Sequence, residues 1–259
     1  MKRLPLVHAL AWIVGSLLFI PGSIYTLWKP QHKIDYLCRV VQTGPQKEAL
    51  KTSYLAEIIH LSADKPMIAQ RFDPLLAKRN LRSSPVIKNA LVKVIKPDTV
   101  FIDYTVRQPI AWLYDFDNVA LDDEGVPFPI IPFFSPKKLP EVVLGLKNLN
   151  WSLPLKGEKV DLALTLLKMM LEKSLSVLRL DVTAAFAPSL GLREVVVVIE
   201  ENGSPKFLRL SPKNFAQELG NYLELRKTLP PEPQVIDLRI PQLAFIESRE
   251  TKRVQDLPQ

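Results

Sequence analysis

The stretch VIKNALVKVIKPDTVFIDYTV, residues 86–106, constrains this chain more than any other. Two runs of alternating apolar residues flank Pro97-Asp98-Thr99. Val86, Lys88, Ala90, Val92, Val94 and Lys96 fall on one face, and Ile87, Asn89, Leu91, Lys93 and Ile95 on the other, the period of two of a β-strand. Pro97 presets φ and Asp98 can bond its own backbone, so the pair predicts a turn, and Val100, Ile102, Tyr104 and Val106 return in alternation. The hairpin runs out at Arg107-Gln108-Pro109. Proline cannot donate to a ladder, so Pro109 fits a junction between units better than a central strand.

Upstream, residues 34–43 read as a strand ended by Gly44-Pro45. Thr52 is placed to cap a helix carrying Leu55, Ile58, Ile59 and Leu61 along one side. Asp73-Pro74 starts a second helix, with a capping oxygen followed by proline in the first turn; it carries Leu75, Leu76 and Leu81 and stops before Ser84-Pro85. The order strand, helix, helix, strand, strand predicts a small α+β unit over 34–109 with helices on one sheet face.

A second unit is predicted over 110–247. Residues 110–131 read as two short strands, with Asp122-Asp123-Glu124-Gly125 as a bend, followed by a proline-rich connection. Residues 160–171 form an apolar helix, 174–181 and 194–200 strands, and Asn202-Gly203 the turn of a hairpin. Ser211-Pro212 opens a helix to about Lys227, and 234–247 reads as a final strand interrupted by Pro241. The tail, 248–259, is charged and aperiodic.

Residues 4–28 carry no formal charge. At about 1.5 Å per residue such a helix would cross a bilayer core of about 30 Å. The expectation is a transmembrane anchor over 4–28, a cytoplasmic tail over 1–3 bearing Lys2 and Arg3, and the remainder outside the cytoplasm. A cleaved signal peptide fits less well, because no Ala-x-Ala site follows the apolar run. The net charge of +7 suits an acidic partner, anionic lipid or nucleic acid without choosing among them. The single cysteine, Cys38, excludes an intramolecular disulfide and is expected to be a small buried residue on a strand. With 9 glycines against 23 prolines, phosphate-cradling loops are not expected.

Taken together and in order, these segments resemble the FtsQ/DivIB cell-division proteins. Pro85, Val86, Ala90, Val92, Pro97, Thr99, Val106, Pro109 and Ala111 are similar to the closing hairpin of that family's POTRA domain. VALDDEGVPF, LPEVVLG and VIDLRI are similar to motifs of its β domain. Arg107-Gln108 departs from the family's Glu-Arg, Ile240 stands where an aromatic is usual, and Pro241 follows at once. The resemblance implies an N-terminal transmembrane helix, a POTRA domain and a larger antiparallel-sheet β domain with flanking helices. It also implies a single-pass protein of the bacterial inner membrane, with its bulk extracytoplasmic, at the division septum. There it would act as a non-enzymatic scaffold holding an FtsB/FtsL-like coiled-coil pair, with other division proteins reaching the POTRA domain.

The residues themselves offer no catalytic constellation. His8, His32 and His60 have no metal-site spacing, no cofactor is expected, and no nucleic-acid partner is expected. Asp122, Asp123 and Glu124 could serve a membrane-tethered cell-wall hydrolase but read more simply as turn chemistry. Lys137-Lys138 and residues 249–253 could meet anionic headgroups or solvent alike. A POTRA-bearing outer-membrane assembly or secretion factor is the other alternative. The sharpest candidate is the last strand, where an edge would offer unpaired backbone groups to a partner, with Arg239, Ile240 and Phe245 near the contact.

Overall fold

The alternation in residues 86–106 builds the sheet at the centre of the first unit. In the computed structural model, which describes residues 35–62, 64–151 and 153–248, this unit contains β1 (Tyr36–Leu37), β2 (Arg39–Thr43), α1 (Thr52–Ile58), β3 (Met67–Ile68), α2 (Pro74–Ser83), β4 (Ile87–Ile95) and β5 (Thr99–Val106). The sheet order is β2-β5-β4, with β2 parallel and β4 antiparallel to β5, and β1 pairs with β3. Leu55 of α1 and Ala77 and Leu81 of α2 are buried with Val92, Val100 and Ile102 of the sheet. Asp73 caps α2 as its sequence predicts, its Oδ1 accepting from the Leu75 N–H at 2.8 Å. Lys51, not Thr52, occupies the cap position of α1, and Thr52 is its first residue.

Strict alternation fails at one place. A register shift between Ile87 and Asn89 lets Val86 and Ile87 both be buried, while Ala90 and Val92 continue the inner face. A bulge re-aims side chains in this way. Cys38 departs from expectation: it lies between β1 and β2 and is exposed, its thiol donating to the Tyr36 carbonyl at 3.4 Å.

The second unit is a nine-stranded sheet in the order β14-β13-β12-β11-β10-β9-β6-β7-β8. Its strands are β6 (Ala111–Leu113), β7 (Val119–Leu121), β8 (Pro127–Pro129), β9 (Glu141–Val143), β10 (Ser176–Asp181), β11 (Val195–Glu201), β12 (Ser204–Leu210), β13 (Gln234–Asp237) and β14 (Phe245–Ser248). Helices α3 (Glu158–Glu172) and α4 (Phe215–Leu225) connect β9 to β10 and β12 to β13. Residues 110–131 thus hold three short strands rather than two.

The expected antiparallel sheet is corrected to a mixed one. Strands β9 and β10, β12 and β13, and β6 and β9 run parallel. The cause is connectivity: a parallel pair needs a crossover, which α3 supplies between β9 and β10, α4 between β12 and β13, and the β7–β8 hairpin with the segment after it between β6 and β9. Val160, Leu166, Leu167 and Met170 of α3 and Leu219 and Tyr222 of α4 pack with Val195, Val197, Leu208 and Ile236 of the sheet. The β11–β12 hairpin turns at Asn202 and Gly203, both at positive φ (53° and 75°), as a two-residue loop requires.

The expected fold class also included a membrane-spanning helix. Among the described residues no helix is long and apolar enough to cross a membrane, and residues 4–28 lie outside them. The described residues form an α+β body with a large mixed sheet. Its two units share packing: Ala120, Phe128, Ile130 and Phe134 from beyond Pro109 are buried with the core of the first unit.

Candidate partner-binding edge

Residues 234–247 do not form one interrupted strand. They fold back on themselves, β14 pairing antiparallel with β13 through Gln234↔Ser248, Val235↔Glu247, Ile236↔Ile246 and Asp237↔Phe245. The reversal centres on Ile240-Pro241-Gln242-Leu243, closed by the Leu243 N–H donating to the Ile240 carbonyl at 3.2 Å. Pro241 supplies the fixed φ of the second position, and Gln242 takes the positive φ (64°) of the third, the pattern of a type II turn.

This reversal makes β14 the end strand of the large sheet among the described residues. All four of its residues are exposed, Phe245 to 56% and Ile246 to 45%, and Ile240 and Leu243 of the reversal are exposed as well. An end strand with one free side and apolar side chains is a template for another chain. A cavity of about 470 Å³ opens where β13 runs into the reversal, lined by Phe186, Leu190, Arg193, Pro212, Arg239 and Ile240.

Arg239 is held in a four-member ionic cluster. Its Nε and Nη2 donate to Asp237 at 2.9 and 2.6 Å, and its Nη1 lies 3.4 Å from Glu194. Arg209 bridges the same two carboxylates, at 2.6 Å to Glu194 and 3.2 Å to Asp237. Burial alone would raise the Asp237 carboxyl, but hydrogen bonds from Arg239 and the charges of Arg239 and Arg209 outweigh it and hold the group below its ordinary value. The bonds to Asp237 in turn raise Arg239.

The three residues predicted from sequence therefore separate by role. Ile240 and Phe245 present exposed side chains at the edge. Arg239 braces the strand below it. Leu243 and Ile246 belong to the same exposed set and were missed, because reading 234–247 as one strand hides the turn. Pro241 was the available signal, since it favours the second position of a reversal.

The other candidate cluster is structural. Asp122 is fully buried; its Oδ2 accepts from Arg107 Nη1 at 2.6 Å, and its Oδ1 accepts from the N–H groups of Glu124 (3.0 Å) and Val126 (2.8 Å). Arg107 Nε also donates to the Pro85 carbonyl at 3.0 Å. Lys88 reaches Asp123 at 3.1 Å and Glu124 at 3.2 Å, and those bonds raise its pKa. Each of the three carboxylates thus fastens the β7–β8 turn to the first unit. His60 is exposed just past α1, and His8 and His32 lie outside the described residues. Lys137 pairs with Glu48 at 2.7 Å, while residues 249–253 lie outside the described residues.

The chain matches no protein-family model, and no curated protein sequence matches it.

Proposed function

We propose that this protein is a non-enzymatic scaffold of the bacterial division apparatus, of the FtsQ/DivIB kind, working outside the cytoplasm at the septum. A segment of an FtsB/FtsL-like coiled-coil partner adds to β14 as a further strand. The observation that carries this reading is the outer edge of β14, which no other strand pairs among the described residues, with Phe245, Ile246, Ile240 and Leu243 exposed along it. Strand addition supplies backbone hydrogen bonds for affinity and side-chain contacts for selectivity. The main elements of the first unit, β2, α1, α2, β4 and β5 in that order, followed by a larger sheet, are in keeping with the sequence resemblance, with β1 and β3 added as a separate short pair. The ionic cluster of Arg239, Asp237, Arg209 and Glu194 supports the reading indirectly, because it stiffens the end of β13, the strand on which β14 pairs.

The test is capture from bacterial membranes by the full chain, comparing the native sequence with Ile240→Glu and Phe245→Glu. Capture of a small coiled-coil division protein by the native chain alone supports the proposal. Equal capture by all three moves the contact away from β14. Failure of the native chain to capture any division protein sinks the scaffold reading.

A further inference from the structure

Ion pairing is uneven over this molecule. Lys88, Arg107, Lys137, Arg179, Arg209, Arg226, Lys227 and Arg239 all lie within 4.0 Å of a carboxylate. Most other described cations have no such partner, and what sets Lys65, Arg71, Lys78, Arg79 and Arg82, on and around α2, apart is that they crowd into one short segment with almost no carboxylate. Residues 65–83 contain those five cations against the single carboxylate of Asp73, which caps the helix.

The same helix leaves two leucines in water, Leu75 at 69% exposure and Leu76 at 48%. Ala77 and Leu81 account for its buried side. Leu75, Arg79 and Arg82 fall four and then three residues apart, so they form one stripe along the outer surface. Scattered exposed leucines are ordinary on protein surfaces. Two adjacent ones flanked by unpaired guanidinium groups form a combined apolar and cationic ridge.

We infer that α2 with Arg71 is a docking ridge for an anionic lipid bilayer, Leu75 and Leu76 entering the headgroup layer while Arg71, Arg79 and Arg82 meet lipid phosphates. Charge complementarity selects an anionic occupant. The shape of the ridge selects a bilayer over an acidic protein: the leucines project from the helix instead of walling a groove, and a planar interface receives projections without a pocket. Arginine stems can lie along the interface while their heads remain at phosphate level. This surface belongs to the first unit and is independent of the β14 edge.

The experiment uses the full chain with Cys38→Ser and an environment-sensitive fluorophore on Leu76→Cys. It is mixed with vesicles of phosphatidylcholine alone, or of phosphatidylcholine and phosphatidylglycerol in equal parts, both containing lipids with a nitroxide near the headgroup. Quenching and a blue shift are expected only with phosphatidylglycerol, and should vanish at about 1 M salt, where the screening length falls to about 3 Å. Each cation near an anionic surface contributes about fivefold to binding, so Arg79→Glu with Arg82→Glu should weaken this local contact by roughly 25-fold or more. A helix that melts unchanged in that double variant would show that the loss is not one of folding. Three results overturn the inference: equal quenching with both vesicles, a fluorophore that stays in water with both, or a response to soluble polyglutamate but not to phosphatidylglycerol. The last would assign the ridge to an acidic protein.

Discussion

Arg107, just past the last strand of the first sheet, and Asp122, at the bend of the β7–β8 hairpin, meet in a buried ion pair with Nη1 and Oδ2 2.6 Å apart. The Arg107 N–H and Nε also bond the Val86 and Pro85 carbonyls. One side chain thereby joins the start of β4, the end of β5 and the next unit. The hairpin ends on Arg107 and Pro109 because the ladder must stop where the clasp begins.

Removing one member of that pair should be severe. Arg107→Ala leaves the Asp122 carboxylate buried without its cation, and breaking a buried pair typically costs about 3–5 kcal/mol. Urea unfolding should show this loss for Arg107→Ala and for Asp122→Ala. The double variant should lose less than the two single losses combined, since neither charge is then left alone.

Gly125 closes the same bend at φ 74°, with the Leu164 Cδ1 only 2.9 Å from where a Cβ would stand. A left-handed backbone costs a non-glycine residue about 1–2 kcal/mol, before the crowding against Leu164 is counted. Gly125→Ala should therefore lower the unfolding midpoint, and its additional cost should be smaller when measured in a Leu164→Ala background, where the crowding is gone.

At the other end of the large sheet, Ile240→Glu should change stability by no more than about 0.5 kcal/mol, as exposed substitutions usually do, while Phe245→Glu, directly across the pair from Asp237, should cost up to about 1 kcal/mol. Arg239→Glu should be clearly destabilising, because it sets a third carboxylate beside Asp237 and Glu194. Thermal unfolding of the three variants separates them. A loss of partner capture in Arg239→Glu would for that reason report on the strand's support as much as on the contact.

The cluster also fixes an acid response. The Asp237 carboxyl sits lower in the folded chain than in the unfolded one, where it is about 3.9. Its contribution is fully present above that value and is lost as pH falls through the folded pKa. Stability measured from neutral pH downward should decline below about pH 4, and Asp237→Asn should flatten part of that decline.

Much of the body follows from local sequence. The period of two in 86–106, the Asp73-Pro74 start of α2 and the Asn202-Gly203 turn each act over a few residues, and each is found where those residues lie. Cys38 and the last strand were misread for one reason. A short apolar stretch does not say whether the chain continues or turns, and burial depends on what packs against it.

Sequence by itself determined the two helices and closing hairpin of the first unit and many of the apolar residues from which both cores are made, because propensity and periodicity are local properties; it did not show that the first strand splits into β1 and β2 or that β3 lies between the helices. Tertiary structure alone decided that the large sheet is mixed, that β14 ends it with Phe245 in the open, and that Asp122 is bound to Arg107 rather than free. Those outcomes rest on pairings between residues far apart in the chain. Helix crossovers and the burial of charge select such pairings only once the whole body is assembled.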